Sequence, residues 1–237
     1  MEGLFPARSA ADVAGRFDPQ ESWAQPLMRA TSAMTRKHPG RSDNLRRALA
    51  QEAARIMAEH GIRDFFVAKR KAAERLGVAD GSAVLPKNTE IETALVEYQR
   101  LFGGESHSES LYAQRRAALS AMRCLEEFEP RLVGPVLTGT ATEHSDVQLH
   151  LFTDTAESVA LKLMDWHVPY EITERRVKMN AERVLAYPGV RFAMDDFEIE
   201  ATVFPTDGIR QAPVSPVDGK PMKRANAFEV EALLDEQ

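Results

Sequence analysis

RLVGPVLTGTATEHSDVQLHLF, residues 131–152, decides how this chain is read. Two apolar runs, one at Leu132-Val133 and one from Val147 to Phe152, flank a turn that carries Gly134 and Gly139. In the second run Asp146, Gln148 and His150 alternate with Val147, Leu149 and Leu151. That period of two predicts a strand with unlike faces. The prediction is therefore a strand over residues 131–138, a glycine-bearing turn, and a strand over 146–152 with an acid, an amide and an imidazole along one side. Such a row in a small sheet either faces solvent or lines a site.

On the N-terminal side of this stretch the periodicity is helical. Leu45, Leu49, Ile56 and Met57 predict a helix from about Ser42 to His60, stopped by Gly61. A second is expected from Ile62 to Leu76. A third opens with Thr89 and Glu92 at capping-box spacing and carries Ile91, Leu95, Tyr98, Leu101 and Phe102 on its apolar side, ending at Gly103-Gly104. A fourth, from about Ser108 to Phe128, carries Leu111, Leu119, Met122 and Leu125. Residues 1–41, with prolines at 6, 19, 26 and 39, read as an irregular arm in which Trp23, Leu27 and Met28 dock.

On the C-terminal side, a helix with Val159, Leu163 and Trp166 on one side precedes three strands around VPYEITER, VRFAM and DFEIEATVF. A turn-rich tail and a short helix from Ala225 to Leu234 close the chain. The expected class is α+β, with a helical region (42–129) followed by a small mixed sheet with flanking helices (130–237).

Composition narrows the function. Net charge is −6, so no global field favours nucleic acid or an acidic membrane. The lone Cys124 excludes an intramolecular disulfide and a cysteine-rich zinc site, and its helical context reads as core. No apolar run is long enough to span a bilayer, and no signal or lipidation pattern opens the chain, so the expected location is the cytoplasm. No G-x4-G-K-[ST], H-E-x-x-H or G-x-S-x-G occurs.

The chemistry of G-x4-G-x6-D-x-Q-x-H follows from its residue types. Glycines allow close backbone approach and present N–H groups to a phosphate. An acid at the head of the next strand is placed to hold a divalent cation that bridges phosphate oxygens. In the later strand Glu198, Glu200 and Thr202 alternate with Phe197, Ile199, Ala201 and Val203, a second acidic face on an apolar strand.

Residues Val133-Gly134, Gly139 and Ser145-Asp146-Val147-Gln148-Leu149 resemble the signature of the nucleotidyltransferase superfamily that includes DNA polymerase β and small bacterial members. The resemblance covers roughly residues 130–205. It implies transfer of a nucleotidyl group from a nucleoside triphosphate, with Mg²⁺ or Mn²⁺, to a small-molecule or macromolecular acceptor. Asp146 and Glu200 take the catalytic positions, with Glu198 as alternate. Gln148 stands where the family has its second carboxylate, and His150 is a candidate nitrogen ligand, so the metal set is Asp146, Gln148, His150, Glu198 and Glu200. Gly134, Gly139 and Thr140 would face the phosphates, and Arg175 with Arg176, expected just after a strand, would clamp them.

Two departures bear on activity. Pro135 replaces the family's serine, and Gln148 is a neutral and poorer ligand for Mg²⁺. Two other readings stay open beside the transferase. One is a catalytically weak relative, kept as a binding or regulatory module, whose helical region engages a protein or RNA. The other is an unrelated α+β domain with a solvated polar face. The basic helix with Lys69, Arg70, Lys71 and Arg75 reads as a solvated face more readily than as a phosphate-backbone contact.

Overall fold

Period-two apolar runs become strands here because each can bury one face against helices. The computed structural model describes residues 40–79, 84–180 and 182–235. Five strands form one mixed sheet: β1 (Arg131–Val133), β2 (Val147–Phe152), β3 (Tyr170–Lys178), β4 (Val184–Met194) and β5 (Phe197–Phe204). Their order is β1-β2-β5-β4-β3, with β2 parallel to β5 and the other pairs antiparallel. The molecule is α+β, as the alternation of patterns predicts.

One sheet face is apolar. Leu132, Val147, Leu149, Leu151, Val190, Phe192, Ile199, Ala201 and Val203 are all buried on it. Helix α4 (Gly104–Cys124) packs its Leu111, Ala118, Leu119 and Met122 into this core, and Cys124 is buried there as well. Helices α6 (Glu157–Asp165) and α7 (Ala227–Asp235) add Val159, Leu163 and Val230. Trp166, expected on the buried side of α6, is instead 57% exposed, because it caps the helix end beyond the last buried turn.

A second core joins α1 (Arg41–His60), α2 (Phe65–Arg75) and α3 (Asn88–Tyr98). Alanines at 50, 53, 54, 68, 72 and 73 let these helices approach closely around Leu49, Ile56, Ile91 and Leu95. Gly61 stops α1 in the left-handed conformation, at φ 63°. Residues 61–64 then form a link, and Asp64 caps α2 by accepting from the N–H groups of Phe66 and Val67.

Other expectations shift. Helix α3 begins at Asn88, and it is Glu90 whose carboxylate accepts from the Lys87 N–H, at 2.6 Å. Thr89 and Glu92 therefore make no capping box. Residues Gln99–Gly103 form a π-helical turn, whose wider winding leaves Leu101 and Phe102 at 57% and 71% exposure rather than on the apolar stripe. The strand expected through Thr138 ends at Val133, and Gly134–Thr138 is the short helix α5 with Pro135 in its first turn. The arm with Trp23, Leu27 and Met28 lies outside the described residues.

Candidate functional site

The polar face of the sheet is built from the strand residues that cannot enter the core. Register places Val133, Gln148, Glu200, Arg191 and Glu171 in one row across all five strands. The neighbouring row is Arg131, His150, Thr202, Gly189 and Thr173. Gln148 thus lies beside Glu200, the acid selected on the later strand, and Asp146 immediately precedes β2. Asp146 and Glu200 are 6% and 4% exposed, whereas the Glu198 side chain is half exposed.

Each buried acid is met by guanidinium groups. Arg63, in the link between α1 and α2, donates to both carboxylate oxygens of Asp146 and, at 2.7 Å, to the carbonyl of His144. This two-point geometry is the strong form of an arginine–carboxylate pair. Glu200 has Arg175 at 2.9 Å and Arg191 at 3.8 Å, and Arg191 also reaches Glu198 at 3.2 Å. Arg175 reaches Glu200 on β5 from β3, across β4. A Cβ at Gly189 would stand 2.8 Å from the Thr173 hydroxyl and 2.9 Å from the Ala201 carbonyl.

Arg176 does not join this group. Both arginines lie within β3 rather than after a strand, and adjacent residues of a strand point to opposite faces. Arg176 is thus on the side of Tyr170 and Ile172, and only Arg175 meets Glu200.

His150 belongs to the polar face but not to the Asp146 cluster. Four residue steps separate them, about 13 Å at strand rise. The imidazole Nδ1 accepts from Arg224 Nε at 3.1 Å, and the ring meets Phe204 edge-on. Arg224 comes from the C-terminal tail. Its guanidinium lies over Phe152 and Phe204 and also donates to the carbonyls of Gly208 and Ile209. Burial, with Arg131 adding, pushes this guanidinium down to about 10.

Burial, then Arg224 and Arg175, lowers the His150 pKa to about 3. The unfolded chain therefore takes up a proton near the ordinary histidine pKa of about 6.5 that the folded chain refuses. Stability from this group is complete above that value and is lost as pH falls toward 3. Urea unfolding at a series of pH values is expected to show a decline of up to about 1.4 kcal/mol per pH unit attributable to His150. The His150→Gln protein, compared with wild type over the same series, should lack that share of the slope.

A cleft of about 520 Å³ opens beside Asp146, within the usual size of small-molecule sites. Gly134, Pro135, Thr138, Thr140, Ser145, Asp146 and Gln148 form one wall. Met57, Ile62, Arg63, Phe65, Glu92 and Leu95 from the helical layer form another, and tail residues 215–218 and 220–223, among them Asp218, Lys220 and Lys223, line it as well. The tail is tied to α3 where Asn88 donates to the Pro216 carbonyl at 2.7 Å. Burial, with Asp218 adding and Lys223 opposing, raises the Glu92 carboxyl above the usual range. Gly139, the left-handed cap of α5, lies against Arg115 and Leu111 rather than in the cleft wall.

Gly134 is favoured by its backbone, and its missing side chain leaves room for the Gln148 amide. It has φ 74°, and a Cβ there would stand 2.5 Å from Gln148 Oε1. Gly134→Ala is expected to cost about 1–2 kcal/mol from the left-handed backbone alone, measured by urea unfolding. It should also push the Gln148 amide out of its place in the cleft wall.

A divalent cation needs several oxygen donors with charge to spare. Both oxygens of Asp146 are engaged by Arg63, Gln148 is neutral, Glu200 is paired with two arginines, and His150 Nδ1 is used by Arg224. Among the described residues, no group of three or more His, Cys, Asp or Glu side chains is disposed to hold a metal ion. As arranged, these donors do not fit Mg²⁺ or Mn²⁺.

The sequence pattern missed Arg63, Arg191 and Arg224. Nothing in a helix link, a weak strand and a tail marks an arginine as the partner of a distant acid or, for Arg224, of a distant histidine. It also missed Gln99 and Gln114, whose amides grip the loop before Asp146.

No protein-family model matches the chain, and no curated protein matches it. Among solved structures, it is similar to the MgGTP-bound Cid1 poly(U) polymerase at 19% identity, over 45% of this chain and 38% of that one, with a TM-score of 0.29. A second Cid1 structure, described for its RNA terminal uridylyl transferase activity, matches at 18% identity over 49% of this chain and 37% of that one, also with a TM-score of 0.29. The chain thus matches well under half the length of those structures. Among the described residues, no helix is long and apolar enough to cross a membrane.

Proposed function

We propose that this chain is a nucleotide-binding module of the nucleotidyltransferase type, in which arginines occupy the acids that a metal would otherwise use. The observation that carries the reading is the pairing of Arg63 with Asp146 and of Arg175 and Arg191 with Glu200, beside a cleft walled by Gly134, Thr140 and Gln148. The ligand is a nucleoside triphosphate. Its phosphates lie toward Gly134 and Thr140, where Arg63 cancels the charge of Asp146. Its base lies against Met57, Ile62, Phe65 and Leu95, the apolar side of the cleft. Water-excluding walls strengthen each polar contact made there.

In-line transfer needs concentrated negative charge to hold the metal that orients the leaving pyrophosphate. Asp146 and Glu200 are neutralised by their arginines and Gln148 brings no charge, so the chain is proposed to bind nucleotide without transferring it. The test incubates the protein with each nucleoside triphosphate and Mg²⁺ or Mn²⁺, follows pyrophosphate release, and measures binding by calorimetry. Binding without release supports the module. Release that disappears in Asp146→Ala would establish a working transferase instead, and failure to bind any nucleotide would remove both.

A further inference from the structure

Glu92 lies on α3 three residues before Leu95, so the two side chains share a face of the helix. Both line the cleft, together with Met57, Ile62 and Phe65, the apolar wall against which the base is proposed to lie. Glu92 is partly buried, and its carboxyl makes neither a hydrogen bond nor an ion pair with any described residue.

The other carboxylates of the cleft are engaged. Arg63 holds both oxygens of Asp146, and Asp218 accepts from the N–H of Lys220 at 3.1 Å. Glu92 loses water to burial and feels the like charge of Asp218, with Lys223 opposing but not in contact. A carboxyl desolvated in a cleft and left without a donor is a candidate for contact with a ligand.

An ionised carboxylate only accepts hydrogen bonds, so the ligand must bring the donors. Beside the wall that receives the base, those donors belong to the base edge. Guanine presents two N–H donors side by side on its Watson–Crick edge, at N1 and at the N2 amino group. Adenine and cytosine each set one amino group beside a ring nitrogen that accepts, and uracil sets one N–H between two carbonyls. A carboxylate facing any of these three would turn its second oxygen toward another acceptor, a mismatch that leaves polar groups unpaired.

We infer that Glu92 selects the base in this cleft, its two carboxylate oxygens accepting from N1–H and the N2 amino group of a guanine nucleotide. The inference rests on the nucleotide-binding reading and names which nucleotide the cleft takes. Two charge-assisted hydrogen bonds, made against an apolar wall, compensate the water that Glu92 gives up.

The test is calorimetric titration of the whole chain, in Mg²⁺ and in EDTA. Wild type is expected to bind GTP about tenfold or more tighter than ATP, CTP or UTP, equivalent to about 1.4 kcal/mol. Inosine triphosphate, which keeps N1–H and lacks the N2 amino group, should bind about tenfold more weakly than GTP. Glu92→Gln should reverse the choice. Its amide oxygen accepts from N1–H and its amide N–H donates to the C2 carbonyl of xanthosine triphosphate, which should then bind tighter than GTP. A merely structural role for Glu92 would not exchange one base for the other. Glu97→Gln removes an exposed acid of the same helix outside the cleft wall and should leave the order of ligands unchanged. A wild type that binds the four common triphosphates alike, or a Glu92→Gln protein that still prefers GTP to xanthosine triphosphate, would overturn the inference and leave the nucleotide reading standing. A wild type that binds none of them would remove the nucleotide reading itself.

Discussion

Replacing Arg175 and Arg191 together by alanine is expected to destabilise the protein by about 3 kcal/mol, a fall of on the order of 10 °C in melting temperature. Glu200 is 4% exposed and those two guanidinium groups are its ion-pair partners among the described residues. Their removal leaves a buried carboxylate uncompensated, which for a fully enclosed pair costs about 3–5 kcal/mol. The lower end applies because both arginines are more than a third exposed, so their loss opens a path for water. Arg175→Ala alone should cost more than Arg191→Ala, since Arg175 stands at 2.9 Å and Arg191 at 3.8 Å. Adding Glu200→Gln to the double variant should recover most of the loss, because the buried charge goes with it. Urea unfolding of these four variants beside wild type measures this directly.

Arg63→Ala is expected to cost about 2 kcal/mol by the same logic. The Asp146 carboxylate, 5% exposed, loses the partner of both its oxygens, while Arg63 is 55% exposed and its own desolvation is small. Asp146→Asn in the same chain should restore most of the stability. The pair also joins two cores. Arg63 sits between α1 and α2 of the helical layer, and Asp146 stands at the head of β2 in the sheet. Its loss should therefore raise amide exchange in residues 61–64 and 140–146 before the rest of either core, checked by hydrogen exchange.

What could be read from the sequence was what depends on local pattern. The alternation at 147–152 and 197–204 placed two strands with polar faces; that Gln148 lies beside Glu200 came only with the register of the folded sheet. Gly61 stopped a helix where its left-handed conformation does so. Strand boundaries at 131–138 failed because Gly-Pro suits a helix start as well as a turn. Leu101 and Phe102 failed because a π-helical turn breaks the 3.6-residue stripe. Arg176 failed because an Arg-Arg pair in a strand splits between faces.

The site was half legible for a related reason. Acids on a period-two face announce themselves, but the arginines that answer them come from 83 positions away for Arg63 and from two other strands, β3 and β4, for Arg175 and Arg191. Those distances are fixed only by tertiary structure. An unpaired reading of Asp146 and Glu200 favours a metal site; the paired geometry leaves neither carboxylate free for a metal, which is the ground of the proposed metal-free nucleotide cleft.

The most direct measurement of that claim is a paired calorimetric titration with the four nucleoside triphosphates, once in EDTA and once in Mg²⁺. Guanidinium groups that take the place of a metal predict binding in EDTA at least as tight as in Mg²⁺. Binding that appears only with Mg²⁺, and is lost in Asp146→Ala, would contradict it.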